Sequence, residues 1–273
     1  ADIFFSSPPS IIDEYRKMGL DPILLYHAFD DGILPKLNGS GKEYDFTFVG
    51  MSRAPESRYW HLKKLMAETD LQAWIYELPK INNSTFRSFA PKQIIRSVLK
   101  QVFQLFNDDQ LNHLSDLRYI SDKVRLIYDD IAQDRELKRK GPVIPLGKLY
   151  PERCRAPVMG LDMYNLLHES RITFNKHADK AWGCVGNMRM FEATGVGTCL
   201  VTDTGYNMRD LFEPDKEVVT YSSVDEAVEK VNYLLDHPDE AEQIAKAGQA
   251  RTLKDHTIMN RCQQIDEVIQ KNL

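Results

Sequence analysis

RITFNKHADKAWGCVGNMRMFEATGVGTCLVTDTGY, residues 171–206, is the stretch on which the fold turns. Two apolar, β-branched runs, Ile172-Thr173-Phe174 and Cys199-Leu200-Val201-Thr202, flank a helix-compatible segment that opens near Asn187. Strand, helix and strand in that order make a βαβ unit. Ligands of such units collect at the carboxyl ends of the strands and at helix N-termini. Polar residues stand at those edges: Asn175 and His177 after the first strand, Asn187 and Arg189 at the helix start, Asp203, Thr204 and Gly205 after the second strand. The spacing therefore puts the chemistry there.

Upstream, DFTFVG (45–50) reads as a buried strand, residues 58–67 as a helix and LQAWIYEL (71–78) as the next strand. Residues 91–139 carry apolar positions at helical spacing (Ile94, Ile95, Val98, Val102, Leu105) and read as a helical insertion. Its basic end, 135–140, is a solvated helix end, with a docking patch for an anionic acceptor or membrane surface as the second reading. Pro142 to Pro157 is a connection, and Gly160 to Glu169 an amphipathic helix. Downstream come a helix at 209–212, a strand at 217–221, a helix capped at Ser222 or Ser223 with Glu226 as capping-box partner, and helices over 239–253 and 257–271. At the start, residues 2–6 and 23–26 read as strands around a helix from Pro9 to Met18 that Gly19 stops. The turn-rich polar stretch 30–44 reads as a linker. The fold class is thus α/β, a Rossmann-like parallel sheet with helices on both faces. Three parts are expected: 1–38, a terminal βαβ with its linker; 39–255, the main domain with an insertion at about 91–140; and 256–273, a helix packing back towards the N-terminal part.

Composition narrows the classes. At 273 residues, 42% hydrophobic and 27% charged, the chain is an ordinary globular protein. A net charge of −5 gives no case for nucleic acid as a partner. No apolar run nears the roughly 20 residues of a transmembrane segment, and no secretory leader is evident. Four separated cysteines, Cys154, Cys184, Cys199 and Cys262, form no CxxC and read as reduced cytosolic thiols. A cytoplasmic location follows, with peripheral membrane attachment as the second reading. The chain begins at Ala1 without Met and enters a strand-like stretch at once, as a piece of a longer protein would.

Two glycine patterns are set aside. GSGK (39–42) lacks the first P-loop glycine, has Glu43 where Ser or Thr is required, and precedes a strand. GVG (195–197) lies between a helix end and a strand, so Gly195 reads as a helix C-cap and Gly197 as a tight turn into the strand. Gly50 differs, because it ends a strand and precedes a loop carrying Ser52, Arg53 and Arg58, groups suited to a phosphate. An ordinary βα turn is the competing reading. Glu192 lies three residues after Arg189, on nearly the same helix face. Its carboxylate there can accept the two hydroxyls of a ribose, while Arg189 and the helix-start N–H groups hold a diphosphate. The alternative is an exposed i, i+3 ion pair.

The run NMRMFEATGVGTCLVTDTGYNMRDLFEPDKEVVTYSSVDEAVEKVNYLLDHPDEAEQIAKAG (187–248), followed by HTIMNR (256–261), resembles the C-terminal half of group 1 glycosyltransferases, most of all their spore-maturation (CgeB-type) branch. The likeness runs from about Phe46 to Arg261 outside the insertion, and FVG (48–50) and HAFD (27–30) fall where that family carries similar motifs. The resemblance implies a GT-B fold and a nucleotide-sugar donor that is a substrate, with no cofactor. It also implies a cleft facing an N-terminal acceptor domain that this chain mostly lacks. It makes Glu192 the glutamate that holds the donor ribose, Asn187 and Arg189 the polar helix opening, and Gly50 the glycine of the first loop. One departure stands out: many retaining members carry another glutamate eight positions before, and Cys184 occupies that place. His177 or Asp203 are the candidates to replace it, and the stereochemical outcome stays open. No D-x-D triplet occurs, so no metal site is expected. No catalytic residue is named, since a general base for the acceptor hydroxyl belongs to the other domain.

The expected function is metal-independent transfer of a sugar from a nucleotide-diphosphate-sugar to the hydroxyl of a glycan, lipid-linked glycan or protein, this chain supplying mainly the donor site. The competing reading is a non-catalytic nucleotide- or sugar-binding module of a larger protein.

Overall fold

The computed structural model describes residues 3–7, 9–39, 41–52, 57–77, 143–181 and 183–272. The expected helical insertion and Arg53 lie outside the described residues. Apart from 143 and 144, the described residues fall in one compact unit composed of Ala1–Glu77 and Pro145–Leu273.

Six strands make the central sheet: β3 (Tyr44–Met51), β4 (Gln72–Tyr76), β5 (Cys154–Arg155), β6 (Ser170–Asn175), β7 (Cys199–Asp203) and β8 (Val219–Tyr221), in spatial order β5-β4-β3-β6-β7-β8. Every pairing is parallel, with Phe46 opposite Ile172 and Phe174 opposite Val201. Parallel strands covered on both faces bury continuous runs, as Phe46 to Val49 and Cys199 to Thr202 do. The hydroxyl groups this places in the core are satisfied within it: Thr47 Oγ1 donates to Ser170 Oγ at 2.9 Å, and Thr173 Oγ1 to the Thr47 carbonyl at 3.2 Å. The helices around the sheet are α2 (Ser57–Glu68), α3 (Leu146–Leu149), α4 (Gly160–His168), α5 (Met188–Gly195), α6 (Met208–Leu211), α7 (Val224–Asp236), α8 (Pro238–Asp255) and α9 (Ile258–Asn272). Helix α7 packs on α2, while α4 and α8 pack on α5. No described helix is long and apolar enough to cross a membrane.

The sheet grows in opposite directions from β3 and β6, so their carboxyl ends form the topological switch point. The expected connection at 142–157 contains a strand, β5, only two residues long and paired through Ala73 and Trp74. Ser223 caps α7 by accepting from the Glu226 N–H, and Glu226 accepts in turn from Ser222.

At the start, β1 (Phe5–Ser6) and β2 (Ile23–Leu24) pair in parallel around α1 (Pro9–Lys17), which Gly19 ends at φ +80°. The stretch read as a linker contains a 3-10 helix and follows a tightly bonded segment, 26–29. Asp30 caps a 3-10 helix over Asp31–Lys36, and Phe29 is fully buried. The Phe29 N–H donates to the His256 carbonyl at 2.8 Å, and the Ile258 N–H returns to the Phe29 carbonyl at 2.9 Å. Arg261 Nε and Nη2 donate to the carbonyls of Tyr26 and His27 at 3.0 and 3.1 Å. His256 accepts from Arg261 at Nδ1 and meets the Leu211 carbonyl with Nε2, and burial, with the nearby arginines, pushes it down to about 4.

Gly195 departs from its expected role. It is the last residue of α5, not a cap, and a Cβ there would stand 2.4 Å from Phe29 Cγ. The glycine is needed for close approach of the 26–29 segment to the helix. Gly197, at φ +76°, makes the turn into β7.

Candidate functional site

The polar residues at the carboxyl ends of β6 and β7 converge, and most of them converge on each other. Asn175 is 3% exposed, and its amide pairs with that of Asn187: Asn175 Nδ2 donates to Asn187 Oδ1 at 3.2 Å, and Asn187 Nδ2 to Asn175 Oδ1 at 3.0 Å. Asn187 is also the N-cap of α5, accepting from the Met190 N–H. One amide pair thus fixes the end of β6 to the start of α5.

Asp203, ending β7, binds the loop after β6. Its Oδ1 accepts the His177 N–H at 2.9 Å and lies 2.7 Å from His177 Nδ1, and its Oδ2 takes the Lys176 ammonium at 2.9 Å. Burial opposes ionisation of this carboxyl, but the hydrogen bonds from His177 and the nearby Lys176 charge outweigh it and hold Asp203 well below the usual carboxylate range. The far side of the imidazole accepts: Gly186 N–H donates to His177 Nε2 at 3.0 Å and Asn187 N–H at 3.3 Å. With Nδ1 facing a carboxylate and Nε2 facing two donors, the ring is the Nδ1–H tautomer.

Gly205 is set against the loop that precedes α5: a Cβ there would lie 2.6 Å from the Gly183 carbonyl oxygen. Thr204 is exposed, its N–H bonded to the Tyr221 carbonyl. Cys184 is buried between elements, its Sγ accepting from the Ser10 N–H at 3.3 Å and donating to the Tyr206 hydroxyl at 2.7 Å. A cavity of about 470 Å³ opens here, walled by His61, Lys176, Cys184, Thr204 and Ser222 among others.

Across the switch point, Gly50 sits at φ +155° beside Ile75, and Ser52 is 3% exposed. Arg58, on the first turn of α2, donates from Nε to the Lys176 carbonyl at 2.8 Å. Asp179 accepts from the Ser57 N–H at 2.9 Å and so caps α2 from the other loop. The start of α2 and the loop after β6 are therefore tied together.

Arg189 and Glu192 occupy the other side of α5. Their ion pair, Nη1 to Oε2 at 2.9 Å, exists as spacing suggested, but the side chains are only 17% and 9% exposed, so it is not a solvated surface pair. Arg189 Nη1 also meets Met163 Sδ. Burial lowers the Arg189 guanidinium and Glu192 opposes that. Tyr164 on α4 bonds Glu192; burial first, then that carboxylate, push its phenol up to about 12. His27, on the segment that precedes Phe29, lies near the same carboxylate; partial burial lowers its imidazole, and Glu192 only partly opposes that. A carboxylate offers about four acceptor positions, so Glu192 can hold Arg189 and Tyr164 and still accept from a ligand. The N–H groups of Met188 and Arg189 have no partner among the described residues.

Sequence reasoning missed Tyr164, His27 and the Arg261–His256 pair. The HAFD and HTIMNR stretches, singled out only for their family likeness, carried His27, His256 and Arg261, while no pattern pointed to Tyr164.

A family model described as glycosyl transferase-like matches residues 129–267, a little over half of the chain. No curated protein matches it. Among solved structures, Anabaena HepE in complex with UDP and glucose superposes with a TM-score of 0.60 at 13% identity, covering 99% of this chain and 64% of that one. Sucrose-phosphate synthase from Thermosynechococcus elongatus gives 0.56 at 11% identity, covering 98% of this chain and 57% of that one. At these identities the likeness is one of fold, the GT-B arrangement of a parallel sheet flanked by helices. The chain spans less than two thirds of either protein.

Proposed function

This chain belongs to the glycosyl transferase-like family, and on that premise we propose that it binds the nucleotide-sugar donor of a group 1 glycosyltransferase of the spore-maturation (CgeB-type) branch. The observation that carries this reading is Glu192. It is a buried carboxylate on the first turns of α5, held by Arg189 at 2.9 Å and retaining acceptor positions. A ribose has two adjacent hydroxyls to donate, which such a carboxylate matches. HepE, a protein of the same fold, was crystallised with UDP and glucose, which makes UDP the first ligand to try.

In this reading the diphosphate lies over the start of α5, on the open N–H groups of Met188 and Arg189, with Gly50, Ser52 and Arg53 as its further contacts. Glycosyl transfer builds negative charge on the departing diphosphate, and oriented N–H groups at a helix start stabilise it. The Arg189 guanidinium is committed to Glu192, so its part is to orient that carboxylate. The sugar faces the cavity bordered by His177, Asp203 and Thr204, with Gly205, Asn175 and Asn187 as its further contacts. Transfer proceeds without a metal or cofactor, and the acceptor, a glycan, lipid-linked glycan or protein, is presented by a further domain. Residues 1–38 end that domain, 39–255 form the donor domain, and 256–273 pack back onto the former. The protein works in the cytoplasm or at the membrane surface.

Calorimetric titration with UDP, and with the other nucleoside diphosphates, tests the reading. Micromolar binding that weakens at least about tenfold, 1.4 kcal/mol, in Glu192→Ala is expected. If no nucleoside diphosphate binds the wild-type chain, or if Glu192→Ala binds as well as wild type, the donor-site assignment is wrong.

A further inference from the structure

His177 sits among residues expected to touch the sugar, yet its ring has no edge left for one. Nδ1 is 2.7 Å from Asp203 Oδ1, Nε2 accepts from the N–H groups of Gly186 and Asn187 at 3.0 and 3.3 Å, and the residue is 5% exposed. Helix starts leave N–H groups open, and these commonly hold an anion or a capping oxygen. Here a neutral ring nitrogen takes that place just before α5, and a carboxylate on the neighbouring strand fixes the ring.

We infer that His177 is a positioning residue: clamped by Asp203, it holds the Gly186 and Asn187 amides and so sets the start of α5, on which Arg189 and Glu192 stand. The ring pulls the 183–187 loop towards the β6 and β7 edge. The Asn175–Asn187 amide pair fixes the next residue to the same edge. The consequence for binding is specific. The amides of Gly186 and Asn187 are taken, and the ones a phosphate can reach are those of Met188 and Arg189, one step further along the helix.

Two substitutions each keep one half of the imidazole. Gln places an acceptor near the position of Nε2 and loses the Nδ1 donor; Asn places a donor near Nδ1 and loses the distant acceptor. The inference rests on the donor-site reading only for its ligand, so two kinds of measurement are made on the whole chain. The first, without ligand, is the imidazole ¹⁵N spectrum together with hydrogen exchange at Gly186 and Asn187. The wild type is expected to give the Nδ1–H tautomer and protected amides. His177→Gln keeps the protection, whereas His177→Asn exchanges about tenfold faster or more. The second is UDP calorimetry: His177→Gln stays within about threefold of wild type, while His177→Asn weakens about tenfold, the loss of one or two ordinary hydrogen bonds. Thermal melting of each variant confirms that it is folded. An Nε2–H tautomer, unprotected wild-type amides, or a Gln variant that loses as much as the Asn variant overturns the inference. Protected amides in a chain that binds no nucleoside diphosphate leave the clamp intact and remove the donor reading. Equal UDP binding by all three proteins does the reverse.

Discussion

On one side of the start of α5, Lys176, His177 and Asp203 saturate one another; on the other, Arg189 and Glu192 hold each other and leave capacity unused. Both groups join a carboxylate to cations or donors, both are mostly buried, and both lie at the carboxyl edge of a parallel sheet. The difference is in their remaining valence. Asp203 takes three donors from a single loop and a fourth, Thr202 Oγ1 at 3.5 Å, from its own strand, and fixes the geometry of the edge. Glu192 takes one guanidinium and one phenol and looks out at a segment, 26–29, that comes from elsewhere in the chain. A buried carboxylate is evidence of a ligand only when its acceptor positions outnumber its protein donors.

The comparison breaks most readily at Asp203. Asp203→Ala leaves the Lys176 ammonium without its counter-charge at a site where both side chains are 15% exposed. It also strips His177 of its anchor. Removing one partner of a buried pair costs about 3–5 kcal/mol, which urea unfolding reads as a shifted midpoint at constant slope. A loss below about 1 kcal/mol would mean the cluster is hydrated and closes nothing. Acid is the second way in. Because the native carboxyl titrates below its unfolded value, its contribution is fully present above about pH 4 and disappears as pH falls towards the native value. The wild type should lose stability over that range more steeply than Asp203→Asn, which starts lower and changes less.

The next largest effect is expected at the contact that brings the 26–29 segment to Glu192. Gly195→Ala would place a methyl group 2.4 Å from Phe29 Cγ, inside the core. Overpacking of this kind costs about 1–3 kcal/mol. Made together with Phe29→Leu, which narrows the opposing side chain, the substitution should cost less than the sum of the two single changes. A double-mutant cycle measures that coupling, and strict additivity would show that the two residues do not meet. The Asp203 cluster should be untouched, so Gly186 and Asn187 amide protection stays at the wild-type level.

Parts of this layout were legible in the residues and parts were not, for reasons that differ. The β6–α5–β7 unit was readable because both strands are runs of buried β-branched and apolar residues and Asn187 is a strong N-cap. Strand β5 was not, since two residues, Cys154 and Arg155, carry no periodicity and take their strand geometry from Ala73 and Trp74. Gly195 looked like a cap because helix ends favour glycine; its actual reason is Phe29, a contact across the sequence that no local pattern announces. The polar residues of the edge stand at the strand ends and helix start, as their positions in the pattern indicated. Their division of labour was hidden, because it depends on the path of the loop between Lys176 and Asn187, which turns His177 inwards. Arg189 and Glu192 were readable as a pair through their spacing, and their burial came from α4 and the 26–29 segment, which spacing does not report.

The smallest change in stability, and the most telling change in binding, belongs to Glu192→Gln. The amide oxygen still accepts from Arg189, so the guanidinium keeps a partner, though not a charged one, and a loss of about 1 kcal/mol is expected. What Gln lacks is the pair of strong acceptors that two hydroxyls require, since one edge of the group has become a donor. If Glu192 holds the ribose, the wild type should prefer UDP over its 2′-deoxy analogue by about tenfold, and the variant should bind the two nearly alike. The analogue carries the same base and diphosphate, so a change confined to UDP assigns the effect to the hydroxyl. Equal losses for both ligands would instead mean that Glu192 acts through Arg189 on the helix start, which would make the two clusters alike after all.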